Sequence, residues 1–203
     1  LITDFLVFAR PAQEKTDRIN LSDIVNETVK LFRNSAEVEG IEIICRVDGG
    51  IFVSGDARQI GQIFWNLLLN SAHAMGRTGN TNRHEGRMTV SSSFRRGSLH
   101  AGRKDAEPSQ RADAAAANMT PRGDIFAEIK IEDTGCGISP ENIERIFDPF
   151  FSTKDSGTGL GLAIAHRVAQ SHGGDIEVKS TAGKGAVFTV LLPLAPKKAL
   201  AED

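Results

Sequence analysis

The apolar positions change period along the chain. From Leu1 to Ala9 they recur at helical spacing (Leu1, Ile2, Phe5, Leu6, Phe8, Ala9), and Pro11 stops the pattern. This stretch is expected to be the tail of a longer helix. "DRINL" reads as a short strand. Ser22 is placed to cap a helix from Asp23 to about Glu39, closed by Gly40, with Ile24, Val25, Val29, Leu31, Phe32 and Val38 as its buried stripe. "IEIICRV" and "IFVSG" follow as strands joined by the turn Asp48, Gly49, Gly50. Asp56 then caps a strong helix to about Met75. Its apolar face is Ile60, Ile63, Phe64, Leu67, Leu68 and Met75, extended by Trp65 and Leu69. "RMTVSSSFR" and Asp124–Asp133 are strands, and Pro140 opens a short helix carrying Ile143, Ile146 and Phe147. Gly159 or Leu160 begins a last helix to His172, and "DIEVKS" with "AVFTVLLP" closes the chain as a hairpin around Thr181 to Gly185. Helices alternating with mostly hairpin-connected strands predict a two-layer α/β sandwich, with helices packed on one face of a mixed β-sheet.

Composition changes this picture in one place. Residues 97–123 are polar, charged and alanine-rich with no apolar period, and are expected to be a largely disordered surface insertion. The expected organisation is therefore a helix tail and linker at 1–16, one domain at 17–195 interrupted by that insertion, and a tail at 196–203. Hydrophobic residues make up 40% of the 203, enough for a packed core, and the formal net charge of −2 gives no basic field to recruit nucleic acid or acidic lipid. No apolar run is long enough to span a bilayer. The chain opens at Leu1 inside a helical pattern and reads as a fragment of a longer protein, which itself could be membrane-anchored. Cys45 and Cys136, without metal spacing, read as reduced cytoplasmic thiols.

Four stretches carry candidate chemistry. On the helix after Asp56, Gln62, Asn66, Asn70 and His73 share one polar stripe, which either meets solvent or lines a cleft. The asparagines offer neutral carbonyl oxygens suited to a hard cation. In "EDTGCGI" a strand delivers Asp133 into a turn containing Gly135 and Gly137. This is either an acidic turn or a carboxylate that accepts from the amino group of a purine laid against the glycines. "RIFDPFFSTKDSGTGLGLAI" places Phe147, Phe150, Phe151 and Lys154 in a short loop, the composition of a lid that brings a cation to an anionic ligand. It ends in glycines before a helix, whose unpaired N–H groups suit a phosphate. In "STAGKGAVFTVLLP", Gly183 and Gly185 make a hairpin turn.

Order and content together resemble the ATP-binding domain of sensor histidine kinases, within the gyrase, chaperone, kinase and mismatch-repair ATPase superfamily; the nitrogen-regulation type is the subgroup most similar. "NLLLN" resembles the asparagine box, "DTGCG" the first glycine box, "FDPFF" the phenylalanine box and "GTGLGLAI" the second glycine box. "GKGAVFTVLLP" resembles the closing strand, and "FARP" the end of the dimerisation hairpin. The likeness covers roughly Ile19 to Leu194 outside the insertion.

The resemblance implies a Bergerat-type fold with ATP between sheet and lid and Mg²⁺ on Asn70. Asp133 would take the adenine amino group, helped by water and Thr189. Gly135, Gly137, Ile138 and the lid, with Phe150, would wrap the nucleotide. The backbone of Gly157, Thr158, Gly159, Leu160, Gly161 and Leu162 would meet the phosphates. Lys154 is the candidate for the terminal phosphates, with Asn66 beside it in the catalytic pair. His73 stands where many relatives carry lysine.

Such a kinase transfers phosphate to a histidine on an upstream helix, and this chain shows no histidine in that setting. His84 with Glu85 follows the asparagine box in a turn-rich stretch, His100 lies in the insertion, and His166 and His172 belong to the last helix. The implied partners are the protein's own dimerisation domain and a response regulator, with a monomeric fragment and a homodimeric whole. Two rivals remain at this stage: an ATP-hydrolysing clamp and a noncatalytic nucleotide-binding domain. Clamps carry a water-activating glutamate one turn before the metal-binding asparagine, where this chain has Asn66, which is no general base.

Overall fold

A computed structural model describes residues 17–35, 38, 40–76, 86–97, 125–154 and 157–196. The expected helix tail, nearly all of the expected insertion, His84, Glu85, His100, the lid positions 155 and 156, and the C-terminal tail lie outside those residues.

The elements run β1 (Asp17–Asn20), α1 (Leu21–Phe32), β2 (Ile41–Arg46), β3 (Phe52–Gly55) and α2 (Ala57–Gly76). Then come β4 (Gly86–Arg96), β5 (Ile125–Asp133), α3 (Pro140–Ile143), α4 (Gly161–Ser171), β6 (Asp175–Ser180) and β7 (Ala186–Pro193). Five strands form one sheet in the order β2-β4-β5-β7-β6. Only β2–β4 is parallel within it, so the sheet is mixed as expected. Alternation sets its two faces. Ile129, Ile131, Phe188 and Val190 meet the α2 residues Ile60, Ile63, Phe64, Leu67 and Leu68 in one buried cluster that α1 and α4 complete. The other face carries charge, with Glu128 joined to Arg95 and Lys130, and Arg95 to Glu177.

The structure redraws four local expectations. The α1 cap is Asn20, whose side chain accepts from the Ser22 amide at 3.2 Å. Ser22 is itself fully buried; its hydroxyl donates to the Asp48 carbonyl at 2.6 Å and accepts from the Ile51 amide at 3.1 Å, stitching the helix start to the β2–β3 turn. The helix stops at Phe32 rather than near Glu39, because Ser35 and Asn34 side chains take the Phe32 and Lys30 carbonyls at 2.8 and 3.3 Å and compete with helix continuation. Leu31 and Trp65 are 59% and 38% exposed, since the face of α1 that meets the core is Leu21, Val25, Val29 and Phe32. Trp65 packs edge-on against Phe32, ring centroids 5.3 Å apart. Finally, β2 and β3 are joined by the turn at Gly50 but do not pair: β3 pairs with β1 in a separate two-stranded sheet.

Asp56 caps α2 as expected, Oδ1 accepting from the Arg58 and Gln59 amides at 2.8 and 3.3 Å. The far end of α4 is tied to the same corner, where His172 Nε2 accepts from the Asp56 amide at 3.2 Å. The helix carrying the polar stripe is thus anchored at its start by both its own cap and α4.

Candidate nucleotide-binding site

The polar stripe of α2 lines a cleft. Asn66, Asn70 and His73 face a hollow of about 750 Å³, closed on other sides by Gly137 and Ile138 after β5, by the loop residues Phe151 to Lys154 and Gly157 to Gly159, and by Gly161 and Leu162 at the start of α4. Gln62, a turn earlier, lines a neighbouring hollow of about 640 Å³ with Leu31, Trp65 and Ile164. Asn66, Thr158 and Gly161 border both.

Two asparagines a turn apart tie α2 to two walls of the cleft. Asn66 Nδ2 donates to the Gly161 carbonyl at 3.1 Å, fixing α2 to the first residue of α4. The Lys154 ammonium donates to Asn70 Oδ1 at 3.2 Å, fixing α2 to the loop. Loop and helix also meet at the loop's base, where the Phe147 ring stacks on His166 with centroids 4.5 Å apart and His166 Nε2 lies 2.9 Å from Asp175 Oδ1.

Asp133 closes β5 and is 3% exposed, so it lies beneath the cleft rather than among the residues lining it. Its Oδ2 accepts from the Ser71 hydroxyl at 2.9 Å, and its Oδ1 from the Gly135 and Ala186 amides at 2.9 and 3.3 Å. Burial pushes the carboxyl above its ordinary range, against the downward pull of the Gly135, Ser71 and Ala186 donors. Gly135 leaves room for this contact, since a Cβ there would stand 2.8 Å from Ala74 and 2.9 Å from Asp133 Oδ1. Gly137 has φ 67, and a Cβ on it would run into the Thr181 carbonyl, so only glycine fits.

The loop folds back on itself at Phe150, a non-glycine residue with φ 67. Its amide donates to the Gly159 carbonyl at 3.0 Å, and the backbones meet so closely that a Cβ on Gly159 would overlap Phe150. This sends neighbouring rings in opposite directions. Phe150 is 68% exposed and does not line the cleft; Phe151 does, with the Arg145 guanidinium 4.5 Å over its ring. Phe151 therefore replaces Phe150 as the aromatic of the site.

Thr189 is also corrected. It pairs with Lys130, one step out of phase with Ile131–Phe188, and so lies on the charged face of the sheet, opposite Asp133 and Ala186. The β7 group at Asp133 is the Ala186 amide. Leu160 is 4% exposed with its side chain in the core; its amide is 3.4 Å from Thr158 Oγ1. Ser71 was missed in the sequence. Its only signal there is a small hydroxyl residue in an otherwise apolar helix, next to Asn70. His166 and His172 make structural ties and do not line the cleft.

Residues 55–196 match the family described as histidine kinase-, DNA gyrase B-, and HSP90-like ATPase. The chain belongs to this family. As a member it is an ATP-binding domain, and its sandwich is the family's fold. The chain is 30% identical over 199 residues to the sensor histidine kinase ZraS of Salmonella typhimurium, covering 98% of this chain and 36% of that protein. It is 31% identical over 198 residues to the signal transduction histidine-protein kinase AtoS of Escherichia coli, covering 97% and 27%. Among solved structures, full-length ShkA in complex with AMPPNP superposes with a TM-score of 0.69 at 25% identity, over 98% of this chain and 36% of that one. The nucleotide-free catalytic domain of ThkA gives 0.62 at 24% identity, over 88% and 95%, a likeness of fold. The ATPase-family chain thus spans 27–36% of the length of the two kinases it matches. Among its described residues no helix is long and apolar enough to cross a membrane.

Proposed function

We propose that this domain binds Mg·ATP in the cleft and presents the γ-phosphate to a histidine on the dimerisation segment of a longer sensor histidine kinase, which then serves a response regulator. The observation that carries the reading is the convergence of Asn70 Oδ1, the Lys154 ammonium and the start of α4 on one cleft whose described lining contains no Asp or Glu. Among the described lining residues water finds no carboxylate base of the kind a hydrolytic clamp uses, and the position one turn before Asn70 is the amide Asn66. A positioned protein nucleophile is the better match.

The lining suits a metal that arrives with the nucleotide. Among the described residues no three His, Cys, Asp or Glu side chains gather at one point, and amide oxygens are neutral donors. A small hard cation that keeps phosphate and water ligands needs one such oxygen, and Asn70 is placed to supply it. When bound, the ion neutralises phosphate charge. The chain's own residues do the rest. The first turn of α4 has no side-chain cap and no acidic residue, so its N–H groups and dipole are available to phosphate. Lys154 supplies a positive charge from the lid at Asn70. Asp133 uses three of roughly four carboxylate acceptor positions on Ser71, Gly135 and Ala186, leaving one for an adenine amino group. In the transfer, the acceptor imidazole nitrogen bonds to the γ-phosphorus as the bond to the bridging oxygen breaks; ADP leaves and the imidazole loses its proton to solvent.

The deciding experiment adds a separately made dimerisation domain to this chain with γ-labelled ATP and Mg²⁺. Acid-labile label on the added histidine supports the reading. Release of inorganic phosphate with no labelled protein would instead make the domain a clamp, and binding with neither would make it a nucleotide-binding module.

A further inference from the structure

Asn66 and Gly161 stand 95 positions apart in the sequence, yet Asn66 Nδ2 donates to the Gly161 carbonyl at 3.1 Å. The partner fixes which way the amide turns. A carbonyl only accepts, so the amide nitrogen must face it. Gly161 is the first residue of α4. Its carbonyl and the Leu162 N–H belong to one planar trans peptide, where they point to opposite sides. A group that holds the carbonyl therefore aims the N–H, one of the first-turn donors assigned above to phosphate. The helix brings no cap of its own, since Leu160 at its N-cap makes no side-chain bond. Outside that helix, the nearest atom to a Cβ built on Gly161 would be Asn66 Cγ, at 3.9 Å. Asn70 follows Asn66 by four residues, about 6 Å along the axis of α2. The amide that holds α4 and the amide proposed for the metal thus sit on one rigid helix, whose core residues share a buried cluster with Ile164, Ala165 and Val168 of α4.

We propose that Asn66 is a positioning residue for the phosphates. Its amide nitrogen holds the Gly161 peptide so that the first-turn N–H groups of α4 stay in register with Asn70. It acts through Gly161 and touches neither the metal nor the reacting atoms. A carboxylate at this position, as in a hydrolytic clamp, would set oxygen against the carbonyl oxygen of Gly161 and lose the tie. This inference rests on the Mg·ATP reading and deepens it: Asn66 aligns the phosphate donors, in place of the catalytic role expected from sequence.

The test compares two ligands, a nonhydrolysable ATP analogue and adenosine, each in excess Mg²⁺ and in EDTA at fixed ionic strength. Asn66→Ala removes the donor without adding charge. Affinity for the analogue should fall about five- to ten-fold, by the same factor in both buffers, while affinity for adenosine stays within about two-fold. Asn66→Leu, close to asparagine in shape but without polar atoms, should repeat the result and serves where the alanine variant melts early. A second readout needs no nucleotide: the Gly161 carbonyl-carbon and Leu162 amide resonances should shift in both ligand-free variants. A loss confined to Mg²⁺ would make Asn66 a metal ligand and overturn the proposal. Equal losses for analogue and adenosine would make it a general support, and an unchanged analogue affinity or unmoved resonances would remove the tie altogether; each overturns the proposal while leaving Mg·ATP binding intact. Failure of the wild-type domain to bind the analogue in either buffer would overturn the functional reading, and this inference with it.

Discussion

The Ser71 hydroxyl donates to Asp133 Oδ2 at 2.9 Å, which locks the end of β5 to the residue that follows Asn70 on α2. The carboxylate proposed for the base and the amide oxygen proposed for the metal are thus set by one helical turn. Removing the hydroxyl leaves a buried carboxylate short of a donor. Ser71→Ala should destabilise the domain by about 1–3 kcal/mol. Asp133→Asn should compress the preference for ATP over GTP about ten-fold or more, because an amide nitrogen replaces one acceptor. Thermal melts and competition binding read these two effects, and a preference unmoved in Asp133→Asn would leave the residue a turn support only.

The two adjacent phenylalanines of the lid should separate cleanly. Phe151→Ala removes a ring from the cleft wall and should weaken analogue binding about ten-fold, whereas Phe150→Ala should change it less than two-fold. Phe150→Gly relieves the φ 67 conformation at an exposed site and should raise stability by up to about 1 kcal/mol. Equal binding losses for both alanine variants would contradict the geometry.

Asn70→Ala should weaken nucleotide binding about ten-fold in Mg²⁺ and far less in EDTA, through loss of one oxygen ligand. Titration calorimetry in the two buffers gives the answer. Equal losses would take Asn70 out of the metal site.

The charged face of the sheet predicts an acid response. Burial pushes Glu128 upward, but bonds from Ser93, Lys130 and Arg95 outweigh it and hold the carboxyl at about 2, against an ordinary value of 4.5. Depressed in the folded state, it contributes stability that is fully present above the ordinary value and drains away as pH falls towards 2. Glu128→Gln should lower the melting temperature at neutral pH, and the gap from wild type should close between about pH 5 and pH 2. A gap independent of pH would mean that the ion cluster contributes by packing alone.

The order of helices and strands, the polar stripe on α2, the glycine turn after β5 and the glycine-led start of α4 were legible from sequence. Each depends on residues close together in the chain: a 3.6- or 2-residue period, a cap, or a glycine at a required turn. Asn66, Asn70 and His73 share a face of α2 for that local reason alone. What tertiary structure alone decided involves distant partners. Thr189 lies opposite Asp133 because β7 registers on Lys130 of β5, and a strand's inner face is set by its neighbour's register. β2 and β3 go to different sheets although a tight turn joins them, since β4 and β1 supply their hydrogen bonds. Phe151 rather than Phe150 turns inward because Phe150 crosses Gly159, nine residues on. Ser71 finds Asp133, and Lys154 finds Asn70, only once α2 has packed against the sheet and the lid has folded over α2.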